Sequence, residues 1–124
     1  MPITYIKARI RSFGHAFKGI ATFFLSTPHA KIHALAIVAI TALGLWLGLA
    51  AWEWCVMVVC MGMVVTLEAI NSAIEFTVDL ITSETHPLAK NAKDVAAGAV
   101  LLGVIFCGIA WGIIFLPKLI QLIS

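Results

Sequence analysis

The sequence predicts an all-α membrane protein, with an N-terminal amphipathic interfacial helix followed by three transmembrane helices. Three observations lead there. The 124-residue chain is 62% apolar with a mean hydropathy of +1.07, a composition whose surface must meet lipid and which excludes a soluble globule. Two stretches, Ala34 to Trp52 and Val95 to Leu116, run nineteen and twenty-two residues without a formal charge, each long enough to span. A third, Trp54 to Leu67, is charge-free for fourteen residues and continues as an apolar face through Ile70, Ala73, Ile74, Phe76, Val78 and Ile81. The chain therefore reads as one membrane domain, with an amphipathic helix at 4–25 and spans at 33–52, 54–82 and 94–116.

Within residues 4–25, Ile6, Ile10, Phe13, Phe17, Ile20 and Phe24 recur at spacings of four and three, with Lys7, Arg11 and Lys18 largely on the rest of the helix. Such a helix lies in the membrane plane, its basic face against anionic headgroups or against phosphates brought to that surface. Ser26, Thr27 and Pro28 end it, because Pro28 disfavours helical geometry at Thr27 and suits the first turn of a new helix. A cleavable signal peptide is not expected, since the first long apolar run starts only after about thirty mostly amphipathic residues. His29 and His33 are four apart, but Ala-Lys-Ile between them lacks the Glu of the zincin pattern, so they read as interfacial histidines. Gly44 and Gly48, and Gly108 and Gly112, have the small-xxx-small spacing of close helix packing. Cys55, Cys60 and Cys107 lie inside spans without CxxC spacing and read as buried free thiols.

Lys7, Arg9, Arg11, Lys18 and Lys31 precede the first span, and Lys90 and Lys93 sit between the second and third. The first connection holds only Glu53. By the positive-inside rule the N-terminus and the 82–94 loop are cytoplasmic, while the Trp52-Glu53-Trp54 turn and the C-terminus face out. A formal charge of only +2 gives no reason to expect a nucleic acid partner.

Five of the six acidic residues fall between Glu68 and Asp94. At about 100° per residue Glu68, Asn71, Glu75 and Asp79 occupy an arc of roughly 80°, so three carboxylates and an amide share one helix face. The fourteen charge-free residues before Glu68 rise only ~21 Å against a hydrocarbon core of about 30 Å, which leaves Glu68 below the interface. Holding a carboxylate there costs at least ~2.5 kcal/mol on insertion scales, and such a residue is a functional candidate by default. Three short helices barely shield such a stripe from lipid, so an oligomer is expected. The blander reading is a polar patch between packed helices. No P-loop or GxGxxG loop exists, so any phosphate chemistry must be built from this stripe. Its carboxylates suit Mg²⁺ with substrate phosphates, Lys93 suits a transferred phosphoryl group, and a desolvated Glu68 suits proton abstraction from a hydroxyl. Spacing alone equally permits a proton or cation transporter.

The run Glu68-Ala-Ile-Asn71-Ser-Ala-Ile-Glu75-x-x-Val-Asp79, with Ala92-Lys93-Asp94 opening the third span and Phe17-Lys18-Gly19 in the amphipathic helix, resembles the prokaryotic integral-membrane diacylglycerol kinase family over essentially the whole chain. The resemblance implies a multi-pass lipid kinase of the bacterial plasma (inner) membrane, homotrimeric, with ATP-dependent sites between subunits and Mg²⁺ as cofactor. It makes Glu68 the catalytic base in contact with the lipid substrate, Asn71 its polar partner in catalysis, and Glu75 the metal ligand beside ATP. Lys93 and Asp94 become nucleotide contacts. Glu84, Thr85 and His86 would lie over the nucleotide, His15 matches an aromatic position near it, and Gly98 matches a small residue where the lipid enters. His86-Pro-Leu-Ala-Lys90 and Lys31-Ile-His33 are more similar to the undecaprenol kinase branch than to the diacylglycerol branch. Two positions depart from the pattern. Thr27 stands where most members carry a metal-sharing Glu, and a family arginine falls on Ala8, beside Arg9.

Overall fold

The computed structural model describes residues 2–124 and contains, among them, α1 (Pro2–Ser26), α2 (Pro28–Leu47), α3 (Ala51–Ile81) and α4 (Pro87–Ile123). The last three are long and apolar enough to cross a membrane, so the chain is an all-helical, multi-pass membrane protein. Ile6, Ile10, Phe13 and Phe17 of α1 are all exposed, which leaves an apolar stripe open to lipid. Phe23, by contrast, is buried.

Helix ends differ from the charge-free runs because caps, not hydropathy, set them. Pro28 is the first residue of α2, five positions ahead of the expected span at 33–52, since its fixed φ suits a first turn and its missing N–H would go unbonded there anyway. The helix stops at Gly48, whose φ of 65° is left-handed, and Leu49 N–H closes the turn on Gly44 O at 3.2 Å. Gly48 is therefore a cap instead of a packing residue. Gly44 does accept close neighbours: a Cβ there would lie 2.9 Å from both Leu49 Cδ1 and Trp54 Cη2. Gly44→Ala is expected to lower stability in micelles by about 1–3 kcal/mol, read as an earlier midpoint in denaturant titration; an unmoved midpoint would contradict this packing.

The turn expected at Trp52-Glu53-Trp54 lies instead at Gly48 to Ala50, and Glu53 belongs to the first turn of α3. Its carboxylate accepts from Ala50 N–H at 2.7 Å and meets Lys118 Nζ at 3.1 Å. That ion pair joins the start of α3 to the end of α4, and it explains why α4 runs past Leu116 and through Pro117. Leu119 packs there against the cluster of Leu49, Met57, Ile114 and Phe115. Cys60, Val64 and Cys107 continue the α3–α4 seam inward. Cys55, expected buried, is exposed. Further along, Gly103 lies so near Leu67 that a Cβ would sit 2.6 Å from Leu67 Cδ1. At the other end α4 begins at Pro87, so the connection from α3 is only residues 82–86. With 31 and 37 residues, α3 and α4 extend about 46 and 55 Å, enough to carry their polar ends beyond a ~30 Å hydrocarbon layer.

Candidate functional site

Unbroken helix from Ala51 to Ile81 keeps Glu68, Asn71, Glu75 and Asp79 in one row. Glu68 and Asn71 are buried, Glu75 is half-buried and Asp79 is exposed, so the stripe climbs from the interior toward water over about 16 Å. Two clefts divide it.

The deeper cleft, of about 290 Å³, is bounded by His29 and His33 of α2, by Glu68, Asn71 and Glu75 of α3, and by Ala97, Val100, Leu101 and Val104 of α4. Asn71 Nδ2 donates to Glu75 Oε1 at 3.2 Å. Since a carboxylate only accepts, that bond fixes which way the amide faces. Asn71 Oδ1 is then a buried acceptor with no donor. An unsatisfied buried oxygen is costly, and beside a carboxylate it suits a hard cation or an incoming donor. His33 Nε2 stands 3.7 Å from Glu68 Oε2, the carboxylate being 5% exposed. Thr27 is buried; its hydroxyl donates to Ser72 Oγ at 3.4 Å, and Ser72 Oγ donates to Glu68 O at 3.0 Å.

The shallower cleft, of about 300 Å³, gathers Asp79 of α3, Glu84, Thr85 and His86 of the connection, and Lys90, Lys93 and Asp94 of α4. Lys93 Nζ reaches Asp79 Oδ1 at 2.6 Å, and Lys90 pairs with Asp94 one turn along. Each lysine has a carboxylate partner, so the two positive charges of this cleft are balanced by Asp79 and Asp94. Glu84 N–H donates to Thr82 Oγ1 at 3.1 Å, which shapes the connection, while His86 Nδ1 accepts from Leu88 N–H at 3.1 Å and caps α4.

The single chain thus brings Glu68, Asn71 and Glu75 together, and separately Glu84, Thr85, His86, Lys93 and Asp94 with Asp79. One helical turn, from Glu75 to Asp79, lies between the groups. His15 is exposed on α1 and borders neither cleft, and Gly98 faces open space, with nothing within 4 Å of a Cβ built there. Among the described residues no three His, Cys, Asp or Glu side chains converge as a ready metal site. Two oxygen donors, Glu75 and Asn71 Oδ1, nevertheless suit Mg²⁺, which takes one or two protein oxygens and completes its shell with water and phosphates. Sequence reasoning missed His33 as a neighbour of Glu68. The available signal was the need of a deep carboxylate for a partner.

The family model described as prokaryotic diacylglycerol kinase matches residues 14–115. The undecaprenol kinase of Bacillus subtilis is 43% identical over 109 residues, covering 88% of this chain and 89% of that protein. A diacylglycerol kinase of Synechocystis is 38% identical over 112 residues, 90% of this chain and 64% of that protein. The diacylglycerol kinase of Escherichia coli K12 is 30% identical over 105 residues, 85% and 86% of the two chains.

Proposed function

The chain belongs to the prokaryotic diacylglycerol kinase family and is a lipid kinase, and from that premise we propose that it moves the γ-phosphoryl group of ATP to the hydroxyl of undecaprenol in preference to diacylglycerol. The observation that carries the choice of lipid is the 43% identity to an undecaprenol kinase along nearly the full length of both proteins. Diacylglycerol is the second reading, favoured by the names of the other two relatives. A proton or cation transporter gains no support from relatives named as lipid kinases.

In this reading Glu68, held dry among α2, α3 and α4, takes the proton of the lipid hydroxyl as oxygen attacks phosphorus. Glu75 and Asn71 Oδ1 would hold Mg²⁺, which when bound shields phosphate charge. Lys93 leaves Asp79 for the transferred phosphoryl group, where a cation offsets the negative charge spread over its oxygens. Asp94 orients the nucleotide with Glu84, Thr85 and His86, and His15 approaches it from α1. Gly98 leaves room for the lipid.

A homotrimer completes the site: a neighbouring subunit closes the two clefts into one, while the apolar stripe of α1 stays against lipid. The protein lies in the bacterial plasma (inner) membrane with the shallow cleft toward cytosolic ATP. Orientation is checked by Ala50→Cys and Leu88→Cys in a background without native cysteines. An impermeant thiol reagent should reach the first from outside and the second only after the membrane is opened. Labelling of both from outside would sink the orientation.

The experiment for the lipid is phosphorylation in mixed micelles with γ-labelled ATP, undecaprenol and diacylglycerol being offered separately. A higher kcat/KM with undecaprenol is expected. A ratio favouring diacylglycerol would assign the other branch.

A further inference from the structure

We propose that His33 is the positioning residue for the base: its Nε2–H donates to Glu68 Oε2 and turns the carboxylate toward the lipid hydroxyl. The inference rests on Glu68 being that base. Glu68 is 5% exposed at its side chain, and among the described residues no group hydrogen-bonds to its carboxylate. A buried carboxylate left this way is costly, and with its oxygens undirected it is poorly aimed. His33 Nε2 at 3.7 Å is outside hydrogen-bond range, but a closure of about 1 Å makes a charge-assisted bond.

Two imidazoles border the cleft, and His33 is the one whose nitrogen lies within 4 Å of the Glu68 carboxylate, His29 being exposed one turn earlier. Asn71 Nδ2 is committed to Glu75 Oε1, and every α4 residue bordering the cleft is apolar. The turn of α2 before His33 is also fixed in place. Ala30 is 0% exposed, and the Thr27 hydroxyl reaches Ser72, whose own hydroxyl bonds the carbonyl of Glu68. The imidazole and the carboxylate are therefore carried by two helix turns tied to each other. An imidazole that occupies one carboxylate oxygen leaves the other to receive the hydroxyl proton. The proton passes from lipid oxygen to Glu68, and the bond to His33 persists throughout.

Three variants and one spectrum test this on the purified protein with undecaprenol and Mg·ATP. His33→Leu removes the donor at similar size, so kcat should fall by roughly 10- to 100-fold while KM for ATP moves less than about twofold. His33→Gln, whose amide reaches the Nε2 position, should keep kcat within about threefold of the native value. In histidine-labelled protein Glu68→Gln should shift the imidazole nitrogen signals of His33 and leave those of His86 in place. Equal loss in His33→Gln and His33→Leu, or unmoved His33 signals, would overturn the proposal. Normal turnover in His33→Leu beside an inactive Glu68→Gln overturns the positioning role alone. Near-normal turnover in Glu68→Gln removes the base assignment, and the positioning role falls with it.

Discussion

Glu68→Gln is expected to lower turnover by roughly 10²- to 10⁴-fold while ATP binding changes little, the pattern of losing a general base. The substitution keeps size and polarity and removes the ability to accept a proton. It also removes a buried charge, and the buried amide is less costly than the carboxylate it replaces, so the variant should fold at least as well. Loss of turnover in a folded, ATP-binding protein then reports on chemistry. Near-normal turnover would mean that the lipid hydroxyl needs no base here. Collapse of ATP affinity together with turnover would make Glu68 structural.

The second large effect belongs to Glu75. Glu75→Gln should leave no measurable lipid phosphorylation at any practical Mg²⁺ concentration, because it removes the carboxylate bonded to Asn71, and Glu68, the other acid of the cleft, is taken up as the base. Thr27, where the family pattern places a second acid, explains why the loss is so complete. Its hydroxyl is buried against Ser72, one residue round α3 from Asn71, and adds no negative charge. Native protein is therefore expected to need more Mg²⁺ than a site with two carboxylates, and Thr27→Glu should lower the concentration for half-maximal activity. An unchanged Mg²⁺ dependence in Thr27→Glu would show that another acid already fills the role. Full activity of Glu75→Gln would remove it from the metal site altogether.

How much of this was legible in the sequence depends on whether a feature is local. The three spans follow from charge-free runs, and the stripe from Glu68 to Asp79 follows from helical spacing, since both need only neighbours in the chain. Helix ends were less visible. Hydropathy does not register that Pro28 starts α2 or that Gly48 can turn left-handed, and the extension of α4 past Pro117 depends on Lys118 meeting Glu53 from another helix. The spacing of Gly44 and Gly48 suggested one role, yet the structure gives them two, a close contact and a cap. In the site, the pairing of Lys93 with Asp79 could be anticipated because the connection between their helices is short. His33 beside Glu68 could not, because it depends on how α2 crosses α3. Nor does any local pattern reveal that the residues divide between two clefts, a division that comes from the climb of α3 and the place where α4 begins.

The measurement closest to the central claim is the balance of products from sealed proteoliposomes given γ-labelled ATP, Mg²⁺ and undecaprenol. One lipid phosphate should form for each ADP, with no ion flux when ATP is withheld and labelled lipid from Glu68→Gln formed roughly 10²- to 10⁴-fold more slowly. ADP and free phosphate without labelled lipid, or ion flux that needs no ATP and vanishes in Glu68→Gln, would contradict a lipid kinase built on the α3 stripe.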